Sequence, residues 1–90
     1  MDRRLHIEQK LRDALAATRV EVVDESALHA GHAGASTGGG HFRALVVSGH
    51  FEGKSRLERQ RLVYAALTDE MGAQIHAISM TTLTRDEWQG

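Results

Sequence analysis

HFRALVVSGHFEGKSRLERQRLVYAAL, residues 41–67, places a strand, a turn and a helix in one unbroken run. His41 to Ser48 is mostly apolar, and its second half is β-branched, which is the composition of a strand. Gly49 to Lys54, GHFEGK, reads as a turn. Ser55-Arg-Leu-Glu58 then has the spacing of a capping box. The serine hydroxyl can accept from the Glu58 N–H while the glutamate carboxylate accepts from the Ser55 N–H. Val63, Ala66, Leu67 and Met71 continue as an apolar stripe, and Gly72 is the expected stop.

Upstream, Ile7, Leu11, Ala14 and Leu15 recur at helical spacing and predict a helix over residues 3–17. VEVVD at 20–24 is a short β-branched strand bounded by a polar Asp-Glu-Ser cluster. A glycine-rich connection follows, LHAGHAGASTGGG from Leu28 to Gly40, with His29 and His32 at His-x-x-His spacing. Connections of that length are usually functional or disordered. Downstream, QIHAISMTT at 74–82 reads as a third strand. Thr84-Arg-Asp-Glu87 repeats the capping-box pattern and predicts a short last helix ending near Trp88. The expected fold is α+β in the order α-β-β-α-β-α, a single domain over residues 1–90. It is a two-layer sandwich, with helices packed on one face of a three-stranded mixed sheet.

Strand directions then decide which residues can meet. If the first two strands form an antiparallel hairpin, the long connection lies at its tip. The helix starting at Ser55 returns the chain to that end, so the third strand runs parallel to the second. His76, near the start of that strand, falls on the same edge as His29, His32 and His41. Each histidine alone is adequately explained as an ordinary loop or strand residue, and His-x-x-His by itself is a weak metal signature. Four on one edge make metal ligation a serious reading. Direct zinc or nickel binding by the loop is a weaker version of it. His50 falls on the opposite edge with Lys54, Arg56, Arg59 and Arg61, a basic cluster at a helix start that suits phosphate.

Composition narrows the field. Formal net charge is −1, so no global field draws the chain to nucleic acid or an acidic membrane. The basic cluster therefore reads first as a solvated helix face and second as a DNA contact. There is no cysteine, hence no disulfide, thiol nucleophile or thiolate ligand. No apolar run approaches a membrane span. MDRRLHIEQK lacks a secretory core, so the cytoplasm is the expected location. Ser26 and Ser55 suit turn and cap roles, and Asp24 and Glu25 are adjacent and would point to opposite strand faces. Nothing in the chain assembles a convincing enzyme. Phe42, Phe51, Tyr64 and Trp88 are too few to serve both a core and a base-stacking platform.

VVDES at 22–26 with His29 three residues on, HFRALVVSGHFEGKSRLERQRLVYAAL, and IHAISMTTLTRDEW at 75–88 together resemble the BolA family over about residues 3–88. The resemblance implies an α+β fold similar to the class II KH arrangement. It also implies a partner, a monothiol glutaredoxin, in a heterodimer holding a bridging [2Fe-2S] cluster. Sulfur ligands would come from the glutaredoxin and glutathione, and histidine from this chain. His76 matches the family's C-terminal histidine and His29 its loop ligand, with His32 as the alternative to His29. Whether the chain also forms a homodimer is left open. The family has been linked to transcriptional regulation as well, which here would rest on Lys54, Arg56, Arg59 and Arg61. Arg59-Gln60-Arg61 departs from the Arg-His-Arg of many relatives and lacks their helix histidine.

Overall fold

The computed structural model describes residues 2–25 and 40–88. His29 and His32 lie outside them. Helix α1 (Arg3–Leu15) begins at Asp2, whose carboxylate accepts from the Arg4 N–H at 2.9 Å. It ends at Leu15, two residues earlier than its pattern suggested, and is capped by Ala16, whose φ of 48° lies in the left-handed region. Ile7, Leu11 and Leu15 are its buried stripe, while Ala14 is exposed.

Strand β1 (Arg19–Asp24) pairs antiparallel with β2 (Gly40–Val47), and β2 pairs parallel with β3 (Ile75–Leu83). The sheet order is β1-β2-β3, and α2 (Arg56–Ala66) is the crossover between the parallel strands. The expected mixed sheet with helices on one face is what forms. Its core joins Ile7 and Leu11 of α1, Val63 of α2, and Phe42, Val46 and Ile75 of the sheet, all at 2% exposure or less. Burial of each such side chain contributes about 1.5–3 kcal/mol.

A short 3-10 turn at Gly49–Phe51 links β2 to α2 and seats Phe51 in the core. Buried Ser48 holds its start: the hydroxyl donates to the Leu15 carbonyl at 2.6 Å and accepts from the His50 N–H at 3.0 Å. Both bonds of the Ser55–Glu58 capping box are present, at 2.8 and 3.1 Å. Helix α2 stops at Ala66 rather than continuing to Gly72. Residues 67–70 and 72–74 are turns on either side of a single bridge residue, Met71, with Gly72 at φ +84°.

The last helix does not form. Thr84 and Glu87 make the predicted reciprocal bonds, at 2.8 and 3.2 Å, and the Trp88 N–H closes one turn on the Thr84 carbonyl. That turn is docked rather than extended. Glu87 is drawn to Arg59 at 2.7 Å, and Trp88 lies under the Arg19 guanidinium, 5.0 Å from the ring centre. One closed turn fixes several dihedrals for one hydrogen bond, and side-chain docking offsets that cost without further helix. The order is therefore α-β-β-α-β with a capped closing turn.

Candidate functional site

Three chain segments converge at one end of the sheet. The Glu25 N–H donates to the His41 carbonyl at 2.7 Å, and the Gly40 N–H donates to the Gln74 carbonyl at 2.9 Å. The end of β1 and the starts of β2 and β3 are thus tied at the edge predicted from strand directions. His41 and His76 both lie there, their ring centroids 5.1 Å apart and their planes tilted by 50°.

That approach depends on an irregularity that regular strand alternation does not predict. Gly40 pairs with Ile75 but His41 pairs with Ala77, so β3 carries one residue more than β2 at this point. His76 is the extra residue, a β-bulge. Bulges re-aim side chains, and strict alternation resumes only beyond them. Here Ile75 and Ile78 are both buried against the helices while His76 and Ala77 are both exposed. Two core isoleucines three residues apart cannot share a face of a regular strand. The bulge resolves that conflict and turns His76 outward. The Ile75-His-Ala-Ile78 spacing was the signal in the sequence.

Glu25 and Arg43 flank the pair as an ion pair at 3.1 Å. Among the described residues, no group of three His, Cys, Asp or Glu side chains comes together that could hold a metal ion. The two imidazoles on adjacent strands are fewer than the three such side chains a metal site would need.

The model of the family described as BolA-like protein matches residues 11–87. The chain belongs to the BolA-like family. It is 40% identical to the DNA-binding transcriptional regulator BolA of Escherichia coli (strain K12), over 97% of this chain and 80% of that one. Against BolA-like protein 1 of Homo sapiens the identity is 43%, over 92% of this chain but 58% of the relative, whose length it therefore spans only in part. Among solved structures, the BolA domain of SufE1 from Arabidopsis thaliana superposes with a TM-score of 0.83 at 38% identity, each chain being covered to 98%.

The basic cluster of this BolA-like chain sits at the opposite end of the sheet, as expected, but its members are not equivalent. Lys54, Arg56 and Arg61 are exposed at the start of α2, as is His50 nearby. Arg59 is not a surface cation. Its side chain is 14% exposed and donates to the Lys54 and Thr82 carbonyls, at 3.0 and 3.1 Å, and to Glu87. It also lies over the Phe51 ring. Arg59 is a strut joining α2, β3 and the closing turn.

His6 was not singled out in the sequence, yet its Nε2 lies 2.8 Å from Oε2 of Glu70, a side chain 5% exposed. Lys10 reaches the same oxygen at 3.4 Å. Burial by itself would raise the Glu70 carboxyl, and the His6 and Lys10 hydrogen bonds outweigh it, leaving the group below its ordinary value. Because His6 and Lys10 are four apart on α1 they share one helix face, but their partner lies about sixty positions away, where no local pattern reveals it. Among the described residues no helix is long and apolar enough to cross a membrane.

Proposed function

We propose that this BolA-like protein is a non-enzymatic iron–sulfur adaptor of the cytoplasm. It binds a monothiol glutaredoxin and contributes histidine to a bridging [2Fe-2S] cluster, whose remaining ligands come from the glutaredoxin cysteine and glutathione. The observation that carries this reading is the His41–His76 pair at a bulged strand end. It places the exposed His76 beside His41 at an edge, where the described residues hold too few donors for a complete site. The lack of any cysteine in the chain is in keeping with that division of labour.

His76 is the first ligand in this proposal. The second comes from the connection after β1, as His29 or His32. His29 is four residues beyond Glu25, which limits it to about 14 Å from that anchor. His41, beside His76, orients that ring or stands in for the loop histidine. A histidine-ligated cluster has a higher potential than an all-thiolate one and responds to protonation, properties that suit cluster transfer or iron sensing. Anaerobic reconstitution with a monothiol glutaredoxin, iron, sulfide and glutathione tests the proposal. The two chains should elute together with iron and glutathione bound. Separate elution, with the iron remaining on a glutaredoxin homodimer, would contradict it.

A second reading is nucleic-acid binding. It is favoured by the name of the Escherichia coli relative and by the exposure of Lys54, Arg56 and Arg61 around one helix start. Phosphate contacts of this kind predict affinity that falls steeply with salt. Binding to duplex DNA at low salt that survives replacement of all three residues by glutamine would exclude this face.

A further inference from the structure

Between α2 and β3 the chain folds into a small closed turn. The Glu70 carbonyl accepts three backbone N–H groups, from Ala73 at 3.3 Å, Gln74 at 2.9 Å and Ile75 at 2.9 Å. The Gly72 N–H returns to the Ile75 carbonyl at 2.8 Å, with Gly72 in the left-handed region at φ +84°. A unit closed on itself in this way moves as one body, so its orientation depends on what it grips outside. Two contacts with α1 do this. Glu70 is held by His6 and Lys10, and Arg3 donates to the Gln74 carbonyl at 3.4 Å. The residue that leaves this turn into the sheet is His76.

We propose that Glu70 is the positioning residue of the histidine pair: gripped by His6 and Lys10 of α1, it fixes the closed turn that delivers His76 outward beside His41. The inference rests on reading that pair as the ligand edge. The competing arrangement is a regular ladder, in which Gly40 would face His76 instead of Ile75. Because side chains alternate, that one-residue slip would carry His76 to the helix side and Ile75 to solvent. Burial of Ile75 opposes the slip, and the grip on Glu70 opposes it from the other end of the turn.

The chemistry of Glu70 argues for orientation over plain stability. Its Oε1 is buried with no hydrogen-bond partner among the described residues, so every anchoring bond passes through Oε2. A leucine of similar volume would fill the space without stranding a carboxylate oxygen. What leucine lacks is direction: a carboxylate held by two side chains of α1 permits one placement of the turn.

The test uses the full chain alone, so it answers for Glu70 whether or not a cluster is ever bound. Nuclear Overhauser cross-peaks between the His41 and His76 ring protons report their approach directly. Glu70→Leu should reduce them at least threefold. Glu70→Gln, which keeps one acceptor oxygen for Lys10 or His6, should retain more than half. Val63→Ala, a core cavity in α2 outside the turn, should lower Tm but leave them at the wild-type level. If Glu70→Leu does not fold, a His6→Leu/Lys10→Met double variant removes the same grip from α1 and should lose the cross-peaks. Wild-type cross-peaks in Glu70→Leu or in the double variant would overturn the proposal. So would an equal loss in Val63→Ala.

Discussion

The rings of His41 and His76 lie 5.1 Å apart on neighbouring parallel strands because β3 carries one residue more than β2 where they meet. Without the bulge, alternation would put the two histidines on opposite faces of the sheet. The candidate site is therefore a product of the register, and the register follows from the need to bury both Ile75 and Ile78. A core requirement and a surface chemistry are met by one irregularity.

Arg59 should behave as a structural residue and not as a phosphate contact. Arg59→Met removes its bonds to the Lys54 and Thr82 carbonyls and to Glu87, and should lower Tm by about 5 °C in a thermal melt. Arg56→Gln and Arg61→Gln, at exposed positions, should each change Tm by no more than about 3 °C. An Arg59 variant as stable as the wild type would show that the strut does not hold the closing turn.

Ala16 occupies the left-handed C-cap of α1, with its N–H donating to the Arg12 carbonyl. A Cβ in that conformation costs about 1 kcal/mol that glycine does not incur. Ala16→Gly should therefore raise stability by about 0.5–1 kcal/mol in urea titration, without touching the histidine edge. A destabilised variant would mean that this cap is not in the left-handed region.

Acid should loosen the grip of α1 on the β3 approach. Burial would raise the Glu70 carboxyl, but hydrogen bonds from His6 and Lys10 bring it below the unfolded value of 4.5. Lys10 also faces Asp69 at 3.6 Å. A depressed carboxylate contributes stability that is fully present above pH 4.5 and is lost as pH falls through the lower folded value. Glu58 is lowered in the same direction, chiefly by the Ser55 backbone N–H, and Glu87 chiefly by its bond to Arg59. Urea midpoints measured from pH 6 to pH 3 should fall over the lower half of that range. Glu70→Gln should flatten the decline, and an unchanged slope would remove Glu70 from the account.

Much of the architecture was legible because it rests on local rules. The Ser55–Glu58 box, the buried Ile7, Leu11 and Leu15 stripe, and the apolar second half of β2 each announce their element within a few residues. Strand directions alone were enough to bring His41 and His76 to one edge. What escaped depends on contacts distant in sequence. The Thr84–Glu87 box formed but was recruited into docking by Arg59, and no local pattern distinguishes that from a helix start. His6 and Glu70 meet across sixty-four positions. The bulge did leave a trace in the isoleucine spacing, which a strict alternation template conceals.

The most direct test of the adaptor reading is visible circular dichroism of a cluster-loaded monothiol glutaredoxin titrated with this protein. Wild type should convert the spectrum to that of a new, histidine-ligated species saturating at one chain per glutaredoxin. His76→Ala should weaken or abolish the conversion at unchanged Tm, since the side chain is exposed. A spectrum unmoved by the wild type, or moved equally by His76→Ala, would contradict the account.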